Sequence, residues 1–178
     1  MVRTRVGYTG GKKTAPTYSE LGEHSEAIQI DFDPEVISYD DLLAVFWSSH
    51  SPTSPPWSSQ YKSAVFAHDA DQRAAVRASL KAEAKRRNAT IHTEVRNLDR
   101  FWRAEDYHQK HRLRGNAKWS EAFDGAYKTE REFVDSTAAM RVNAYLSGDF
   151  AALDLEEVLA RLEPSQPQRA QLIAASGG

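Results

Sequence analysis

The 178-residue chain contains no cysteine. That absence excludes disulfides, thiolate metal sites and thiol nucleophiles within these residues. No apolar run approaches the roughly 18 residues that a membrane-spanning helix needs. The opening Met1–Val6 has no apolar core of the length a secretory signal carries. Neither charge sign dominates: 23 Lys and Arg stand against 25 Asp and Glu, a net of −2. Electrostatics therefore give no case for nucleic acid or an anionic membrane as a partner. What is present suits a folded soluble domain, with 40% apolar and 27% charged residues and enough length for a core. A cytoplasmic location is the expectation. No internal repeat is visible.

Arg3 to Tyr8 alternates charged and apolar residues, which predicts a strand ended by Gly10-Gly11. Ala27 to Phe32 resumes the period of two and closes at Asp33-Pro34. Ser38-Tyr39-Asp40-Asp41 is a capping signal that opens a helix running to about Ser49. Three prolines then forbid regular structure between Ser51 and Ser59. A third strand is expected over Ser63–Ala67, a long helix with a basic end over Asp69–Arg87, and a fourth strand over Ile91–Val95. Ala104–Arg112 reads as helical, followed by helices over Glu130–Val134, Met140–Leu146 and Leu153–Leu162. Strands alternating with helices point to an α/β or α+β sandwich.

Two groups of residues carry candidate chemistry. Glu26, two residues after His24, enters an apolar strand, where partial desolvation would suit it to donate a proton. The plain alternative is an exposed strand-edge charge. Tyr18 and Tyr61 offer phenolic hydrogen bonds, or simply pack as loop anchors. Trp57, alone in the proline loop, is a candidate ligand contact, whereas Trp47, Trp102 and Trp119 read as core or interface. The second group, Glu105, His108 and His111, would share one face of a helix and present a carboxylate and two imidazoles to a metal. An ordinary solvated face gives the same spacing.

Several words of the sequence, taken together, resemble the peptide methionine-S-sulfoxide reductases of the A type. They are Val6-Gly7-Tyr8-Thr9-Gly10-Gly11, Pro16-Thr17-Tyr18, His24-Ser25-Glu26, Phe46-Trp47 with His50 and Pro52-Thr53, Gln60-Tyr61-Lys62-Ser63-Ala64 and Ala104 to Gln109. The resemblance covers residues 3–110. It implies an α+β fold, a two-layer α/β sandwich with a ferredoxin-like core, over 1–115, and a helical C-terminal extension over 116–178. It also implies reduction of methionine-S-sulfoxide, free or in proteins, with a thioredoxin-like reductant and no cofactor or metal. A thiolate would attack sulfur, Glu26 would act as general acid, and Tyr18 and Tyr61 would contact the sulfoxide oxygen. His24 and Trp57 are assigned to substrate binding.

The sequence departs from that pattern in two places. The loop before Tyr61 is short and holds no aspartate. The nucleophile's Gly-Cys-Phe-Trp word is absent, and the first strand and helix of the fold are expected to be missing with it. A shortened reading frame is one explanation, including a selenocysteine codon read as a stop; a non-catalytic sulfoxide-binding member is another. Either way, the 178 residues as written are expected to be inactive and, with sheet edges bared, poorly soluble.

Overall fold

The computed structural model describes residues 2–58 and 60–148 and the isolated positions 170, 173 and 174. The expected helix over Leu153–Leu162 lies outside the described residues. Five strands and six α-helices are described: β1 Arg3–Thr9, β2 Ser25–Asp31, α1 Tyr39–Ser48, β3 Ala64–Ala67, α2 Ala70–Arg87, β4 Glu94–Asn97, β5 Phe101–Arg103, α3 His111–Arg114, α4 Ala117–Phe123, α5 Glu130–Val134 and α6 Thr137–Tyr145. The fold is mixed α/β with a helical C-terminal part, as expected. The chain divides into two compact units, one of residues 1–5, 29–31 and 105–178, the other of residues 6–28 and 32–104.

Local chemistry explains most boundaries. Ser38 caps α1 in both directions: its hydroxyl accepts from the Asp41 N–H while Asp41 accepts from the Ser38 N–H. Asp69 caps α2, which closes on Asn88 at φ 50° behind Lys85, Arg86 and Arg87. In one sheet β1 lies between β2 and β5; β3 and β4 form a separate parallel pair. β1 and β5 run antiparallel with Tyr8 opposite Trp102. Gly7 is required there, because a Cβ would lie 2.3 Å from the Trp102 carbonyl oxygen.

One strand expectation shifts and one strand was not expected. The fourth strand begins at Glu94 rather than Ile91, since Ala64 pairs with Glu94 and Ile91 instead packs on the cluster of Leu43, Trp47 and Val76. β5 is only three residues long and has no local signal; its pairing with β1 creates it.

The helix expected over Ala104–Arg112 does not form as one piece. A 3-10 turn spans Asp106–His108, and Lys110 then adopts φ 52° before α3 begins. The physical reason is tertiary. Lys110 is buried, and its ammonium donates to the Thr4 carbonyl oxygen at 2.6 Å, a demand the local sequence does not announce. In the same unit Arg5 joins Asp31 (3.0 Å) and Asp135 (2.7 Å). Leu113, Trp119, Phe123, Ala139 and Val142 form that unit's apolar core.

Candidate active site

The loop between β1 and β2 is built around His24, which is 2% exposed. Its Nδ1 accepts from the Gly11 N–H at 3.1 Å. Its Nε2 lies 2.8 Å from the Lys13 carbonyl oxygen. An accepting Nδ1 and a carbonyl partner at Nε2 together fix the neutral Nε2–H tautomer. Both ring nitrogens are thus engaged with backbone, holding the glycine turn closed. Gly10 makes that turn at φ 89°, and Gly11 has no room for a Cβ, which would meet the His24 backbone nitrogen at 2.5 Å. Lys13 and Glu20 pair at 2.6 Å across the rest of the loop. Tyr18 projects from it, 45% exposed.

β2 then alternates its faces. Ser25 is buried, while Glu26 and Ile28 point outward. Glu26 is therefore the exposed strand-edge charge of the plain alternative and not a desolvated carboxyl, because the strand's period sends it away from the core. Its Oε1 accepts from Gln60 Nε2 at 2.8 Å. The same Gln60 amide lies 3.3 Å from the Tyr61 hydroxyl, and Tyr61 is hydrogen-bonded to Tyr18. The Tyr61 phenol is held above its ordinary pKa, by local desolvation first and then by the fields of Tyr18 and Glu26. It stays a protonated donor at neutral pH. Trp57, 80% exposed, stacks on the Tyr61 ring at 5.0 Å between centroids and 19° between planes.

The structure thus brings Glu26, Tyr18, Tyr61 and Trp57 to one place, and it adds Gln60. The sequence signal for Gln60 was only its place beside Tyr61. Around these groups lie two phenols, a carboxyl and an aromatic face. They suit a small ligand with a strong acceptor oxygen beside an apolar group. Nearby, His50 bridges the Phe46 carbonyl (2.7 Å) and the Ser63 hydroxyl (2.8 Å), fixing the entry to β3.

The metal alternative is corrected. Lys110 at φ 52° breaks the helix that would have aligned Glu105 and His108 with His111. Among the described residues no group of three His, Cys, Asp or Glu side chains is gathered as a metal site.

Residues 1–141 match the family model described as peptide methionine sulfoxide reductase. The chain is 37% identical to the peptide methionine sulfoxide reductase of Drosophila melanogaster, over 83% of this chain and 60% of that protein. It is 40% identical to peptide methionine sulfoxide reductase MsrA of Geobacter sulfurreducens, over 67% of this chain and 82% of that one. Among solved structures it resembles Mxr1 from Saccharomyces cerevisiae in reduced form, with a TM-score of 0.58 at 25% identity, over 64% of this chain and 71% of that one. The methionine sulfoxide reductase A of Corynebacterium diphtheriae gives a TM-score of 0.55 at 27% identity, over 65% and 64% of the two chains. The chain spans about 60% of the length of the fly relative, and 59% of the A5 proteins of Oryza sativa and Arabidopsis thaliana. On the match over residues 1–141, which carries every residue of the cluster just described, the chain belongs to the peptide methionine sulfoxide reductase family.

Proposed function

We propose that these residues form the acid side of a methionine-S-sulfoxide reductase site, binding the sulfoxide and supplying a proton to its oxygen. The carrying observation is the convergence of Glu26, Gln60, Tyr61 and Tyr18. A sulfoxide oxygen is a strong acceptor; the two phenols are its natural hydrogen-bond donors, and the Glu26 carboxyl beside them is the acid that the reading assigns. Trp57 offers its face to the methyl and thioether end. His24 is a positioning residue that sets the loop carrying Tyr18, its nitrogens being occupied by backbone.

The reaction is an oxygen transfer between sulfurs. A thiolate attacks the sulfoxide sulfur, Glu26 protonates the oxygen, and methionine leaves as the attacking sulfur becomes a sulfenic acid. Two further thiols, from a thioredoxin-like donor, then return it to the thiol and release water. These 178 residues hold no thiol, so the nucleophile has to come from outside them, and alone they bind without turning over. Serine and threonine cannot stand in, because a hydroxyl gives no sulfenate cycle.

Calorimetry with free methionine-S-sulfoxide tests the reading. Measurable binding is expected, weakened when Tyr18 and Tyr61 are both changed to Phe, with no turnover by dithiothreitol or thioredoxin. Absence of binding would overturn the site assignment. Turnover by the 178 residues would overturn the account of the missing nucleophile.

A further inference from the structure

A concavity of about 470 Å³ opens beside the glycine turn, and Lys12, Lys62, Arg96 and Arg100 line it together with Glu23 and Asp99. Four cations thus face two carboxylates. Lys62 is neutralised by Glu94 at 2.9 Å. Lys12, Arg96 and Arg100 have no ion pair among the described residues. The two arginines are held by aromatic rings instead: Arg100 Cζ stands 4.2 Å over the Trp102 ring and Arg96 Cζ 5.8 Å from the Phe66 centroid. A cation–π contact engages the face of a guanidinium and leaves its N–H edge available to a carboxylate, closely for Arg100 and more loosely for Arg96. Gly10 permits the close fit, since a Cβ there would meet the Phe66 ring at 2.7 Å and Arg96 Nη1 at 3.0 Å.

We propose that this cleft binds acidic side chains of a polypeptide, flanking the oxidised methionine that the neighbouring site accepts. The inference rests on the proposed function for its substrate, and on chain connectivity for its placement. Lys62 follows Tyr61 directly, and the cleft's Gly10-Gly11 belong to the His24-held loop that carries Tyr18. Glu23 and Asp99 set the ligand class. They would repel the unbroken charge of a phosphodiester backbone, while a peptide with one or two acidic residues avoids them.

The test is fluorescence anisotropy with four labelled peptides: methionine sulfoxide or norleucine at the centre, each with Asp or Ser flanks. The acidic sulfoxide peptide should bind about five- to thirtyfold tighter than the serine one, as two or three exposed charge pairs allow. That advantage should shrink with salt and vanish in Arg96→Gln with Arg100→Gln, whose fold is checked by circular dichroism. Equal binding of the two sulfoxide peptides would overturn the cleft and leave the active-site reading standing. If neither sulfoxide peptide outbinds its norleucine partner, the active-site reading fails; the cleft then stands only if the Asp–norleucine peptide binds through the two arginines. Tighter arginine-dependent binding of a single-stranded oligonucleotide than of the acidic peptide would overturn the ligand class.

Discussion

Gln60 donates from Nε2 to Glu26 Oε1 at 2.8 Å, joining a proline-loop residue to a strand residue 34 positions earlier. The same amide lies 3.3 Å from the Tyr61 hydroxyl, so one side chain ties the carboxylate and the phenol together. Gln60→Leu should therefore weaken binding of methionine-S-sulfoxide by about three- to tenfold, the worth of roughly one hydrogen bond. The melting temperature should stay nearly unchanged, because the site is exposed. Unchanged affinity in calorimetry would show that Glu26 needs no such guide.

His24 is buried and satisfies two backbone groups at once. His24→Ala leaves the Gly11 N–H and the Lys13 carbonyl without their partner, a loss of about 2–4 kcal/mol. Denaturant unfolding should show the drop. Sulfoxide binding should weaken with it, as the loop bearing Tyr18 loosens.

Trp119 and Trp57 make an opposed pair, 2% and 80% exposed. Trp119→Ala empties the centre of the helical core and should cost about 3–5 kcal/mol. Trp57→Ala should change stability by no more than about 0.5 kcal/mol while weakening sulfoxide binding. Reversal of either result would contradict the placement.

Glu83 sits against Arg86 and Arg87, and its carboxyl falls from 4.5 to about 2, chiefly through hydrogen bonds from Arg86 and then Arg87. A depressed carboxylate stabilises the fold above its unfolded value. That share fades as pH falls from about 4.5 toward 2. The melting-temperature difference between the wild type and Glu83→Gln should be constant above that window and gone at its lower end. A difference independent of pH would remove the ion pair from the account.

β2 and the β3–β4 pair end sheets without a further strand among the described residues, and Ile28 on β2 is 59% exposed. Sedimentation of the 178-residue chain should show association rising with concentration. A sharp two-state melt of a monomer would contradict it.

Much of the fold was legible because its signals are local. Ser38 and Asp69 declare helix starts through their own side chains, and β1 and β2 declare themselves through alternation. The helix over Ala104–Arg112 misled for the opposite reason. Its residues are good helix formers, and Lys110 is bent by Thr4, over a hundred positions away. β5 was invisible because three residues have no period of their own.

The words spread over residues 3–110 were together enough to name the family, since order and spacing are properties of the chain. The absence of cysteine likewise settled, before any coordinates, that no thiolate chemistry starts within these residues. What only the tertiary structure decided is which groups meet. It left Glu26 exposed and gave it to Gln60, turned His24 inward to close a loop, and laid Trp57 on Tyr61. It also placed Arg96 and Arg100 over aromatic rings beside the same turn. Hydrogen bonds and ring contacts act over a few ångströms of space, and sequence distance does not encode which residues folding brings within that reach.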